Sequence, residues 1–175
     1  MLSVKSAPKI SSAKKMVAAS KIRRAQQQAE ASQPYAQRMS SMLERLAENI
    51  VLSADSHPLM AGTGKTDIHL LVVVTSDRGL CGGFNATIIR MARQKIRDLL
   101  DAGKEVKILC VGRKGRDALK REDADKIIHS FEGIGRKRLS FTDAQQVATA
   151  VMTLLDSRTF DVCTVVYNQF KSVIK

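Results

Sequence analysis

Tryptophan is missing from this chain, tyrosine occurs twice, and aromatic residues together make up 4% of it. So few rings leave no aromatic-rich nucleic-acid recognition motif, and nucleic-acid binding would rest on charge alone. Cysteine is nearly as scarce. Cys81, Cys110 and Cys163 are odd in number, far apart and never in a C-x-x-C pair. That excludes a disulfide framework and a zinc site of that spacing, and suits a reducing compartment. His57, His69 and His129 are scattered without metal-ligand spacing. No apolar run approaches the roughly 18 residues of a membrane-spanning helix. A catalytic constellation is missing too. Ser76 and Asp77 have no histidine near them in sequence, and Glu122, Asp123 and Asp125 read as a solvated loop.

Acidic residues are absent from the start of the chain. Lys5, Lys9, Lys14, Lys15, Lys21, Arg23 and Arg24 all precede the first of them, Glu30. Overall 29 basic residues face 17 acidic ones, a formal charge of +12. This favours an acidic partner: nucleic acid, an anionic membrane surface or an acidic protein. A basic, serine-rich, acid-free start is also the composition of an organelle transit peptide. Against that, the segment continues without a break into a helical pattern, and Met16–Ala19 is too short an apolar stretch for a secretory signal.

What is present begins with a seam. Ile22, Ala25, Ala29, Ser32, Ala36, Met39, Leu43, Leu46 and Ile50 alternate in steps of three and four, the heptad pattern of a helix lying along another helix. Residues 1–55 are expected to form this shaft helix. Pro34 interrupts the pattern at a cost of roughly 3 kcal/mol. Burying Met39, Leu43, Leu46 and Ile50 against a partner returns about 1.5–3 kcal/mol each, so with that partner present a kink is expected and not a stop. At 1.5 Å per residue the helix would be roughly 70 Å long, longer than a small domain is wide, so part of it is expected to project.

Residues 56–67, with Pro58, Gly62 and Gly64, read as a linker. From residue 68 to 175 the pattern changes. Leu70–Val74, Val106–Val111 and Val162–Tyr167 are apolar runs suited to strands buried on both faces, with a weaker run at Ile127-Ile128. Between them lie helical stripes. Phe84, Ile88, Ala92, Ile96 and Leu99 form one, closed by Gly103. Ala144, Val147, Ala148, Val151, Leu154 and Leu155 form another, with Thr142 and Gln145 as its expected capping box. Such alternation predicts a Rossmann-like α/β domain with a mainly parallel sheet. The 44% of hydrophobic residues suffices for its core.

Two stretches invite a nucleotide reading. HPLMAGTGKTD (57–67) ends like a phosphate-binding loop, but Leu59 stands where that loop needs glycine, and a strand follows where a helix should. It reads as a flexible turn with a solvated lysine. VVVTSDRGLCGGFNATI (72–88) runs from strand through a glycine turn into a helix, the place where doubly wound folds bind phosphates. Yet Gly79, Gly82 and Gly83 do not spell G-x-G-x-x-G, and Gly112-Arg113-Lys114 follows the second strand where an acidic residue would hold a ribose. In a structural reading, Gly79 turns the chain, Gly82 and Gly83 permit close packing, and Asp77 pairs with Arg78 or caps a backbone amide. The alternative is a nucleotide-binding α/β protein using residues 75–85.

Five segments carry a resemblance: KMVAASKIRRAQ (15–26), QPYAQRM (33–39), TSDRGLCGGFNATI (75–88), GKEVKILCVGRKG (103–115) and YNQFKSVI (167–174). In this order they resemble the gamma subunit of the F-type rotary ATP synthase. The resemblance implies a non-catalytic central-stalk subunit whose N-terminal helix pairs with a C-terminal helix, with a small α/β domain at the foot. Implied partners are the alpha and beta subunits of the catalytic head, the epsilon subunit and the membrane rotor ring of c subunits, with no nucleic acid and no small-molecule substrate. No cofactor is implied. The implied place is the cytoplasmic face of a bacterial inner membrane, or the matrix side of the mitochondrial one. Met16, Lys21, Arg23 and Arg24 fall where the family meets acidic loops of its catalytic subunits; Asp77, Arg78, Gly79, Gly82 and Gly83 become a structural loop; Ile22, Met39, Leu43, Leu46 and Ile50 become the coiled-coil seam. The chain departs from the family at Lys14, where an apolar residue is usual, and at Pro8. It also ends at Lys175, leaving the last strand and C-terminal helix that the resemblance implies beyond it.

Overall fold

The computed structural model describes residues 3–49, 56–134 and 139–170 of a chain that divides into two compact units, Met1–Val51 and Leu52–Lys175. The first unit is a single helix, α1 (Ser3–Asn49), 47 residues long. It runs through Pro34 without the stop that the sequence also argued against, although the burial of Met39, Leu43 and Leu46 that was to offset the proline is not there. Proline removes one backbone donor there, while the flanking alanine, glutamine, arginine and leucine residues are strong helix formers. Local bonds support the same stretch: Gln26 Nε2 donates to Glu30 Oε1 at 2.8 Å, and the Ser32 hydroxyl donates to the Ala29 carbonyl at 2.8 Å. None of the α1 side chains described is buried.

In the second unit the expected linker contains a turn of helix, α2 (Pro58–Ala61). Proline sits at its start, where no N–H is needed, and the ring of His57 accepts the Leu59 amide at 3.2 Å. Then come β1 (Ile68–Val74), α3 (Phe84–Asp101), β2 (Glu105–Val111), α4 (Arg113–Asp123), β3 (Ile127–Phe131), α5 (Phe141–Asp156) and β4 (Val162–Val166). The four strands are parallel in the order β3-β2-β1-β4.

The chirality of parallel crossovers dictates the layering. The chain steps from β1 to β2 to β3 in one direction, so α3 and α4 share a face. It then returns past β1 to β4, so α5 lies on the opposite face. The side chains divide accordingly. Leu71, Val73, Ile108 and Cys110 pack with Ile88, Ala92, Ile96 and Leu119. Leu70, Val72, Leu109 and Val111 pack with Leu155 and Phe160, flanked by Val147, Val151 and Leu154. Strands clothed on both faces need an unbroken apolar run, which is what Leu70–Val73 supplies. Burial pushes the Cys110 thiol up to about 11, so it stays protonated and inert at neutral pH.

Two expectations about helix starts are corrected. Phe84 does not head the buried stripe of α3; it is exposed, and Asn85 takes the inward place. The capping box of α5 is not Thr142 with Gln145 but Ser140 with Asp143. The helix begins at Phe141, which puts Thr142 inside it, and the Asp143 carboxylate accepts the Ser140 amide at 2.9 Å. Gly103 closes α3 as expected, at φ +72°.

Leu109, fully buried in the centre of the sheet, is expected to lose about 2–5 kcal/mol of stability on replacement by alanine. Leu46→Ala on exposed α1 should change the same transition by under about 0.5 kcal/mol. Urea unfolding followed through the sheet checks both.

Candidate functional site

On α1 the four residues expected to meet a partner do not form one patch. Met16, Lys21, Arg23 and Arg24 are all exposed. At about 100° per residue, Met16 and Arg23 share one face, while Lys21 and Arg24 share another. The positive charge therefore spreads over about 160° of the helix circumference. The seam is exposed as well: Ile22 at 58%, Met39 at 40%, Leu43 at 51% and Leu46 at 46%. Ile50 lies outside the described residues. The seam's middle, Ala25, Ala29, Ser32 and Ala36, is small and admits a close neighbour. A heptad stripe drifts about 20° per repeat on a straight helix, so a partner stays on it only by winding left-handed.

In the α/β unit the loop after β1 opens where the strand order reverses, between β1 and β4, the usual ligand crevice of such sheets. On the other side of β1, the donors at the start of α4 are already engaged. The first three amides of α4 are those an anion would use. Arg113 N donates to Asp77 Oδ1 (2.9 Å), Lys114 N to the Ser76 carbonyl (3.2 Å) and Gly115 N to the Thr75 hydroxyl (2.8 Å). The other Asp77 oxygen accepts the Gly133 amide at 2.6 Å. Asp77 thus caps two backbone amides, the second of its two expected roles, and joins the loops after β1, β2 and β3. Arg78 serves through its carbonyl, which accepts from the Ser76 hydroxyl (2.6 Å) and from Asn85 Nδ2 (3.2 Å).

The close-packing role expected of Gly82 and Gly83 is corrected. Gly82 has φ +58° with nothing near the place of a side chain, so it permits a backbone turn and not close packing. A Cβ at Gly83 would make only ordinary contact with Thr87, and one at Gly79 would meet only the flexible end of Lys114. The close approach lies elsewhere. A Cβ on Gly112 would stand 2.2 Å from the Thr75 carbonyl oxygen, and one on Gly115 would stand 2.9 Å from the Thr75 hydroxyl. Gly112 also has φ +99°. Sequence reasoning missed both glycines, although their spacing in GRKG, straight after a strand, was a usable signal. It also missed Asn85, buried at the start of α3, which accepts the Ser76 amide at 3.0 Å and donates to the Ser76 hydroxyl at 2.9 Å. Leu80, fully exposed at φ +58°, was not anticipated either.

GTGKT is not a free turn. The Thr63 hydroxyl donates to Asp161 Oδ1 at 2.8 Å, across 98 residues of sequence. Strand β1 begins at Ile68, so no helix follows the lysine to cradle a phosphate. Among the described residues no group of histidine, cysteine and carboxylate side chains is arranged to hold a metal ion. No described helix is long and apolar enough to cross a membrane.

A family model described as ATP synthase matches residues 1–175. The ATP synthase gamma chain of Paramagnetospirillum magneticum is 51% identical over 174 residues, covering 99% of this chain and 59% of the relative. That of Allorhizobium ampelinum is 52% identical over 172 residues, covering 98% of this chain and 59% of the relative. This chain thus spans about three fifths of the length of the curated relatives it matches. Among solved structures, a chain of the Tetrahymena thermophila mitochondrial ATP synthase, in a cryo-EM structure of its central stalk and c-ring, has a TM-score of 0.70 at 30% identity. The match covers 95% of this chain and 68% of that one.

Two predictions come from the loop. Gly82→Ala should cost about 1–2 kcal/mol, the penalty of a left-handed non-glycine residue. Gly112→Ala should cost more, since backbone must move as well; urea unfolding of the two variants gives the order. Secondly, ATP at millimolar concentration should show no saturable heat of binding by calorimetry, and Lys65→Ala should leave that result unchanged.

Proposed function

This chain belongs to the gamma-chain family of ATP synthase, and on that premise we propose that it is a non-catalytic central-stalk subunit of a proton-translocating ATP synthase. The observation that carries this reading is a 47-residue helix whose heptad stripe has no buried side chain among those described. A helix of that kind draws little stability from water alone and gains it from packing. As one half of a coiled-coil shaft, its apolar stripe has a purpose. Rotation of the shaft would couple proton flow to nucleotide binding, conversion and release in the catalytic subunits, with no chemistry on this chain.

The rest of the molecule suits that role. Lys21, Arg23 and Arg24, spread over about 160° of the helix, can meet acidic loops of alpha and beta subunits, and electrostatic bias of this kind sets register more than affinity. The α/β unit would form the foot that meets the epsilon subunit and the c-ring. Its βα turns are closed on themselves by Asp77, Thr75 and Asn85, as suits a mechanical part and not a nucleotide site. The chain would then sit peripherally at the cytoplasmic face of a bacterial inner membrane or the matrix face of the mitochondrial one.

The test is whether the helix needs a partner. Amides 22–49 of the dilute monomer are expected to exchange quickly with solvent. Adding the part of the Paramagnetospirillum magneticum gamma chain outside the match should slow them at least tenfold, and Leu43→Asp with Leu46→Asp should abolish the effect. Strong protection in the lone monomer would count against the shaft reading.

A further inference from the structure

The end of the sheet opposite the glycine loop is where the chain enters from residues 63–67. Asp161, just before β4, holds this entry with both carboxylate oxygens. Oδ1 accepts the Thr63 hydroxyl at 2.8 Å, and Oδ2 accepts the backbone amides of Asp67 and Ile68 at 3.0 Å each. Its own amide donates to the Ile68 carbonyl at 2.8 Å. The neighbouring side of the entry is held by the turn before β2. Lys104 Nζ reaches the Thr66 hydroxyl at 3.3 Å and Asp67 Oδ1 at 3.2 Å, and the Glu105 amide donates to the Asp67 carbonyl at 2.9 Å. Bonds to an ionised carboxylate are about twice as strong as neutral ones, and three converge on Asp161 from residues 93 to 98 positions away.

A carboxylate that only ended a loop would need one partner. This one takes both amides at the boundary of β1 and a side chain four residues upstream of Asp67. We propose that Asp161 is a positioning residue that clamps residues 63–68 to the start of β4, so that load arriving along the chain from the linker passes into two neighbouring strands at once. The clamp is a matter of this unit's own geometry; only its mechanical purpose rests on the shaft reading.

The bonds from Ile68, Thr63 and Asp67 hold the Asp161 carboxyl below its ordinary range, with Lys65 adding to the effect. The charged groups around it are Lys65, Asp67 and Lys104. A depressed carboxyl contributes stability above its unfolded value of about 3.9, and loses it as pH falls through the lower folded value. The clamp is therefore shut throughout the neutral range and does not act as a physiological pH switch.

Hydrogen exchange on the 175-residue chain tests the clamp. Asp161→Ala is expected to speed exchange of the Asp67 and Ile68 amides at least tenfold while Val72 and Leu109 keep their protection. Asp161→Asn retains a carbonyl oxygen and should change Ile68 by less than threefold. Unchanged exchange at both amides in a folded alanine variant would overturn the proposal. So would equal acceleration throughout β1, which would make Asp161 a general stability residue. Should the alanine chain not fold, NMR titration of the unaltered chain decides. The Ile68 amide should shift with protonation of the Asp161 carboxyl, which accepts it; an Ile68 amide that does not follow that carboxyl would refute the clamp.

Discussion

The top of the α/β unit depends on one close approach: the backbone of Gly112 against the carbonyl of Thr75, where no Cβ fits. Because β1 and β2 stay this close past the end of their pairing, the Thr75-Ser76-Asp77 segment lies over the first turn of α4. There its hydroxyl, carbonyl and carboxylate satisfy the amides that a helix start leaves open. The same segment also receives Asn85 from α3 and the Gly133 amide from the loop after β3. Amides at a helix start, which bind phosphate in other proteins, are used here to fasten loops to one another.

The two units solve the problem of stability in opposite ways. The α/β unit buries its apolar groups on both faces of a parallel sheet, and its loops are fastened at both ends, by Asp77 above and Asp161 below. The long helix buries none of its described side chains.

The strands, the helical stripes and the alternation of the α/β unit were legible in the residues because burial on two faces demands the apolar runs at Leu70–Val74 and Val106–Val111. The heptad from Ile22 was legible because its period follows from helix geometry alone. That the helix continues through Pro34 was legible too, but not for the reason of seam burial, since Met39, Leu43 and Leu46 are exposed; its helix-forming neighbours outweigh one lost donor. Segment order across the chain was enough to indicate the family, since TSDRGLCGGFNATI and KMVAASKIRRAQ are long and specific.

Side-chain partners across the chain were decided only by the tertiary structure. The residue counts around Asp77 could not say whether it faces Arg78 or distant amides, because Arg113 and Gly133 come to it through the sheet order. Gly82 and Gly112 look alike in sequence, yet one lines open space and the other faces a carbonyl. Ser140 displaced Thr142 as the cap of α5 because the helix started a turn's fraction earlier. The threonine of GTGKT became an anchor because β4 lies beside β1, which no local pattern records. Periodicity belongs to a segment and is written in it; a hydrogen bond between residues 98 positions apart exists only once the strands have chosen their neighbours.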